Sequence, residues 1–268
     1  MSSAVILSSA FSSPALFGQA PLERQRFEQD GVEIDAFRVP RAGEDAWVLF
    51  RHGAPHRWLP HQVPYRAHAR LLARLGVRSV LLTSSVGVMD PAVPENTPLV
   101  ISDLLMLENR LPDGTACTVF EHPKETQGHL VLEEGIFSET LNGILDTLAP
   151  APLPRVNFAY VGGPRTKTAL ENRYLAAAGI QTNSMSVGPE AVLLNELEIP
   201  VAALAVGHKR STGEKRSHSA GTPSALGSSL ERAKLQMETL VGEFLKLSPE
   251  VIFANSIYRF SDSHEDDR

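Results

Sequence analysis

Short unbroken apolar blocks alternate along the chain with longer stretches whose apolar positions recur every three or four residues. The blocks at 4–7, 47–50, 78–83, 99–102, 156–161 and 201–206 predict buried strands. The periodic stretches at 65–75, 136–148, 168–178, 189–197 and 226–247 predict helices. Pro64 and Pro189 suit helix starts, and Gly76 and Gly179 suit helix ends. In the last helix Leu226, Leu230, Ala233, Met237, Leu240, Phe244 and Leu247 form one stripe. Strand, helix, strand in repetition predicts an α/β domain over residues 1–260, with a largely parallel or mixed central sheet flanked by helices. The polar, basic stretch 207–222 reads as a mobile loop, and 261–268 as a disordered tail.

Composition narrows the function classes. Apolar residues make up 43% of the 268, enough for a sizeable core. A net charge of −6 argues against a general nucleic-acid binder, because neutralising phosphates needs a basic face. It gives no attraction to an anionic membrane either, and no apolar stretch approaches the length of a membrane span. The N-terminal stretch lacks the basic segment of a signal peptide and its apolar runs are broken by serines, so a cytoplasmic protein is expected. The single thiol, Cys117, cannot form an internal disulfide and reads as a half-buried strand residue.

Polar clusters follow the carboxyl ends of the predicted strands, the edge where open α/β sheets bind ligands. They are Ser8-Ser9, Arg51-His52-Gly53, the predicted turn Ser84-Ser85-Val86-Gly87, Gly162-Gly163-Pro164-Arg165 and Gly207-His208-Lys209. Hydroxyls, backbone N–H groups and an arginine suit an oxyanion such as phosphate. Glycine-rich dinucleotide and nucleotide-phosphate motifs are absent, as is HExxH, and the histidines lack metal-ligand spacing. No metal and no cofactor is expected.

The order of these clusters resembles the purine nucleoside phosphorylase and methylthioadenosine phosphorylase family. The stretch 51–103, from RHG through a helix to TSSVG, is similar to the family's segment from a phosphate arginine to a TxACGSL-type turn. GGPRTKTALE (162–171) is similar to its GPxFxTxAE element, and SMSVGPEAVL (184–193) to its GMSTVPE element. The resemblance implies displacement at a ribose anomeric carbon: phosphate, as co-substrate, attacks C1′ and the base leaves. It implies phosphate contacts from Arg51 through a forked pair of hydrogen bonds, from His52, from the backbone N–H of Ser85, and from the Ser186 hydroxyl. It implies that Met185 packs under the ribose and that Glu190 belongs to the ribose and base site. Homotrimeric assembly is a further implication.

Three regions depart from the family. Its glycine-rich loop after the first strand is replaced by Leu7-Ser8-Ser9-Ala10-Phe11-Ser12, where Ser8 or Ser9 stands in for the phosphate hydroxyl. Lys167 occupies the place of a base-reading glutamate, and Thr166 that of a ligand-packing aromatic. The residue that would contact purine N7 falls on or beside His208-Lys209, so these two are the candidates for protonating the leaving nitrogen. The expected activity is therefore phosphate-dependent cleavage of a purine or modified nucleoside to free base and ribose 1-phosphate. The alternatives are a nucleosidase that uses water and a catalytically silent binding member of the fold. A basic-loop binder of acidic partners, through Lys209, Arg210, Lys215 and Arg216, is the weakest of the four.

Overall fold

The computed structural model describes residues 2–9, 11, 22–40, 45–122, 127–211 and 223–259, apart from the side chains of 208, 209 and 223–230. Among them the chain runs β1 (Ser2–Leu7), β2 (Glu23–Gln29), β3 (Val32–Val39), β4 (Ala46–Phe50), α1 (Tyr65–Arg74), β5 (Val77–Val88) and β6 (Pro98–Leu105). It continues through β7 (Gly128–Val131), α2 (Glu139–Leu148), β8 (Arg155–Tyr160), α3 (Ala169–Ala177), β9 (Thr182–Ser184) and α4 (Gly188–Glu196). The last elements are β10 (Val201–Arg210), α5 (Pro223–Leu247) and β11 (Ser256–Arg259).

Alternation along the strands sends side chains into two cores. In β1, Ala4 and Ile6 join the cluster under α1 and α4, while Val5 and Leu7 join the cluster under α2 and α5. Both sheet faces are thus covered, which is why these strands read as continuous apolar runs. Of the stripe predicted on the last helix, Ala233, Met237, Leu240 and Phe244 are buried, Leu247 is half exposed, and the side chains of Leu226 and Leu230 lie outside those described. Local capping fixes the helix starts. Ser138 accepts the Leu141 N–H, so α2 begins at Glu139 and not at 136. Thr168 and Glu171 exchange hydrogen bonds across the first turn of α3.

The nine-stranded sheet has the order β10-β6-β8-β9-β5-β1-β4-β3-β2, and β10 also pairs with β5. That extra pairing closes β5, β9, β8, β6 and β10 into a ring, from which β1, β4, β3 and β2 extend. The sheet is mixed. β1 runs parallel to β4 and β5, and β5 parallel to β10, whereas β6 runs antiparallel to β10 and β9 to β5. This is the expected α/β fold.

Several local expectations are corrected. The β2–β3 hairpin went unpredicted because β2 is mostly exposed and carries no apolar run. Its signal was Asp30-Gly31, both with positive φ (52° and 72°), the two-residue turn that hairpins favour. β5 does not close in a turn at 84–87 but runs on to Val88, held by β10 and β9. β10 likewise extends through Arg210, so 207–210 is strand and not loop; 212–222 and the tail 261–268 lie outside the described residues. Cys117 is fully buried in a loop between β6 and β7, its thiol near the Pro189 carbonyl.

Candidate active site

The sheet divides at β5. One edge of β5 pairs with β10 from Val80 to Val88. The opposite edge pairs with β1 as far as Leu82 and meets β9 only at Gly87. Positions 83–86 therefore face an opening on that edge. Thr83 anchors it: its hydroxyl accepts the Ser8 N–H at 2.9 Å and donates to the Ile6 carbonyl at 3.2 Å. The opening leads into a cleft of about 550 Å³. At roughly 3.3 Å per residue, Thr83 and Gly87 mark ends about 13 Å apart along β5.

The cleft gathers most of the residues that the sequence singled out. Ser8, Ser9, Arg51, His52, Ser85 and Ser186 line it, as do Met185, Lys167 and Thr166. Glu190 does not: it is 1% exposed and lies behind Arg51. Its carboxylate accepts from Arg51 Nε at 2.6 Å and Nη2 at 2.7 Å, and from the Val187 N–H at 3.0 Å. Glu190 thus stands behind the cleft wall, bracing Arg51 and the Val187 backbone. A guanidinium 0% exposed needs a counter-charge, so the fork expected to hold phosphate is occupied by Glu190. Nη1 donates to the Thr83 carbonyl at 2.8 Å, leaving one N–H on each terminal nitrogen.

The same carboxylate braces the backbone next to Ser186. Val187 sits at φ 75°, ψ −52°, a conformation costly for a β-branched residue, on the order of 1–3 kcal/mol. The Glu190–Val187 hydrogen bond holds it there. Ser186 and Ser184 hydroxyls lie 3.3 Å apart, and Ser84 donates to Ser184 at 3.1 Å, forming a hydroxyl row across the opening. Two glycines permit close approaches. A Cβ on Gly188 would come within 2.6 Å of Tyr160 Cβ, and one on Gly163 within 2.8 Å of Met185 Sδ.

His52 is neutral at pH 7. Burial, then the Arg51 charge, pushes its pKa down to about 4. Its Nδ1 lies 2.8 Å from the Trp58 carbonyl, so that nitrogen carries the proton and the other is an acceptor. The N–H expected to reach phosphate from His52 is directed instead at this carbonyl. The backbone at His208 and Lys209 runs in β10, with Lys209 opposite Gly87, but both side chains lie outside those described.

Sequence reasoning missed Asn172, Asn183 and Ser211, which also line the cleft, as do Ser84 and Arg210, named there only in a strand-end cluster and a basic loop. Nothing in a single sequence marks the asparagines; their place comes from α3 and β9 meeting at the opening. Arg210 is neutralised by Glu95 and donates to the Asp90 carbonyl at 2.9 Å. Three lining side chains are at least nine-tenths buried and carry a polar atom without a partner among the described residues: Ser8 Oγ, Asn172 Oδ1 and Asn183 Nδ2. Buried polar atoms ordinarily find partners, so three orphans in one cleft mark a place shaped for a ligand.

Lys167 enters from the loop before α3. Burial pushes its pKa down to about 8, with Glu171 opposing. Glu171 is itself engaged by Arg165, at 2.9 and 2.7 Å, and by the Thr168 N–H, which hold its pKa near 2. Among the described residues, no Asp or Glu lines the cleft and no cluster could hold a metal ion. No helix of the described residues is long and apolar enough to cross a membrane. A larger cavity of about 810 Å³ lies beyond Gly162-Gly163 and is lined mainly by apolar side chains such as Leu105, Leu111, Leu170 and Tyr174. None of the residues singled out as ligand contacts reaches it.

The profile of the Phosphorylase superfamily matches residues 10–246. S-methyl-5′-thioadenosine phosphorylase of Mycobacterium tuberculosis is 35% identical over 162 residues, 60% of this chain and 58% of that protein. The match thus spans less than two thirds of that relative. A 6-oxopurine nucleoside phosphorylase of Pyrococcus furiosus is 28% identical over 186 residues, 66% of this chain and 69% of that protein. In three dimensions the chain resembles methylthioadenosine phosphorylase from Schistosoma mansoni in complex with tubercidin. The TM-score is 0.76 at 20% identity, covering 92% of this chain and 90% of that one, a likeness of fold.

Proposed function

Because the chain belongs to the phosphorylase superfamily, we propose that the β5 cleft holds a nucleoside beside phosphate and cleaves its N-glycosidic bond by phosphorolysis. A phosphate oxygen forms the new bond to C1′ as the C1′–N bond breaks. The base leaves with that electron pair and is protonated, and the products are ribose 1-phosphate and free base. The observation that carries this reading is the set of orphaned buried polar atoms of Ser8, Asn172 and Asn183 in one cleft. Both the Arg51 end and the Gly87 end of that cleft offer hydrogen-bonding groups.

In this reading the Thr83 end binds phosphate. Ser8, Ser9 and Ser186 supply hydroxyls, and Arg51 supplies its two remaining N–H groups and a positive field balanced by Glu190. The two-residue repeat of an extended strand turns the backbone of Ser85 to the same edge as the Thr83 carbonyl, which supplies an N–H for a phosphate oxygen. Met185 carries the apolar face of the ribose, and Thr166 and Lys167 face the base. His208 and Lys209, on β10 beside Gly87, are assigned to the leaving nitrogen. Rate enhancement then comes from positioning two reactants and from fixed dipoles around developing charge. No covalent enzyme intermediate and no bound cofactor enters the reaction. A homotrimer acting in the cytoplasm is part of the proposal, tested by light scattering for the assembly and by cell fractionation for the compartment.

The test is release of base from methylthioadenosine, adenosine, inosine and guanosine with and without phosphate. Phosphate-dependent release of base together with ribose 1-phosphate is expected. Release without phosphate would assign a nucleosidase. That second reading is favoured by one observation, the occupation of the Arg51 fork by Glu190. Failure to bind either phosphate or a nucleoside would assign a silent member of the fold.

A further inference from the structure

The charges around the cleft do not balance evenly. Three described cationic side chains line it: Arg51, Lys167 and Arg210. Arg51 is matched by Glu190, and Arg210 by Glu95. Lys167 has no hydrogen bond or ion pair with a described residue, and Glu171, the carboxylate whose field reaches it, is held by Arg165 and the Thr168 N–H. Among the described residues no carboxylate lines the cleft, and its other polar lining groups are amides, hydroxyls and backbone. Asn183 adds a further orphaned amide. A half-buried ammonium without a counter-charge is costly, and a ligand that supplies the charge removes that cost.

We propose that Lys167 selects the leaving group. The cleft favours an N-riboside whose heterocycle presents a carboxylate or another anionic, acceptor-only edge to Lys167, over one that presents amine or amide N–H groups. This deepens the phosphorolysis reading and rests on it for placing a riboside in the cleft. An amino or N–H edge set against Lys167 would bring donor to donor, with no carboxylate to receive it. An anionic edge would complete the ion pair that the fold leaves open.

Matched ribosides test this with the wild-type protein alone. Nicotinic acid riboside and nicotinamide riboside differ by carboxylate against amide, and orotidine and uridine by the presence of a carboxylate. Binding is measured by calorimetry in phosphate-free buffer at pH 7, and turnover separately with phosphate. The carboxylate member of each pair should bind at least about tenfold tighter, the scale of a charge-assisted hydrogen bond. Lys167→Met should erase the preference and Lys167→Glu should reverse it, with melting curves confirming that both variants fold. The wild-type preference should also fade as pH rises through about 8, where Lys167 loses its proton.

Equal or tighter binding of the neutral members, or no binding of either, overturns the proposal. So does a preference that survives in Lys167→Met. Phosphate-dependent turnover of neutral nucleosides without this preference would leave phosphorolysis standing and remove the role of Lys167. A carboxylate preference in binding without phosphate-dependent release would do the opposite.

Discussion

At one end of the β5 cleft, Arg51 is wholly buried and its guanidinium is met by Glu190 and the Thr83 carbonyl. Elsewhere in the lining of the same cleft, Lys167 is partly buried and meets no described partner. The first cation holds the protein together: its partner also fixes the strained backbone of Val187 beside Ser186. The second leaves an ion pair for the ligand to complete. Two cations in one cleft thus differ in how far the fold itself neutralises them: the charge of Arg51 is matched while two of its N–H groups stay free for a ligand, and Lys167 has no described ion-pair partner.

The sharpest way to break this comparison is to remove one partner of the buried pair. Glu190→Ala or Arg51→Ala should destabilise the protein by about 3–5 kcal/mol in urea unfolding, because each leaves an unpaired buried charge. Replacing both residues by apolar ones should recover much of that loss. A small effect of the single changes would show that the pair is not structural. By contrast, Lys167→Met should not destabilise the protein and should be neutral or stabilising, because it removes a half-buried charge that has no described partner.

His68 gives the next effect. It is fully buried against Trp58, and both ring nitrogens are without a partner among the described residues. Burial, then the charges of Arg51, His52 and Arg57, pushes its pKa down from 6.5 to about 3. Between those pH values the unfolded chain binds the proton and the folded one does not. Stability should therefore fall as pH drops from 6.5 toward 3, and this contribution should be flat above 6.5. His68→Leu should flatten that acid limb. At pH 7 it should be neutral or stabilising by about 1–3 kcal/mol, because it deletes an unsatisfied donor. An unchanged acid limb would assign the slope to other groups, His52 first among them.

Asn183→Ala probes the recognition side. With Nδ2 unpartnered, the change should move stability by less than about 1 kcal/mol, yet weaken riboside binding about tenfold by calorimetry. Gly163→Ala should have the smallest effect on stability, since the atom its Cβ would meet is the flexible end of Met185. The displaced thioether should still raise KM more than it lowers kcat. Unaltered KM would show that Met185 does not touch the substrate.

The strands and helices of the core were legible because burial on both faces leaves long apolar runs and capped periodic stretches. The ends of β5 and β10 were not: TSSVG and GHKR carry the polar composition of turns, and only pairing with neighbours makes them strand. The hairpin of β2 and β3 was legible only at its Asp30-Gly31 turn, since an exposed edge strand buries too little to leave a pattern.

For the site, the sequence by itself determined which residue types stand where strands end, and the order of motifs placed Arg51, Ser186, Met185 and Lys167 in one region of the fold. Tertiary structure decided what those side chains do. It joined Arg51 to Glu190 across 139 positions of chain, took the fork away from any ligand, and brought Asn172 and Asn183 to the opening. The physical reason is that a charge's role depends on what neutralises it. Here the neutralising groups lie far apart in sequence and meet only when the sheet divides at β5.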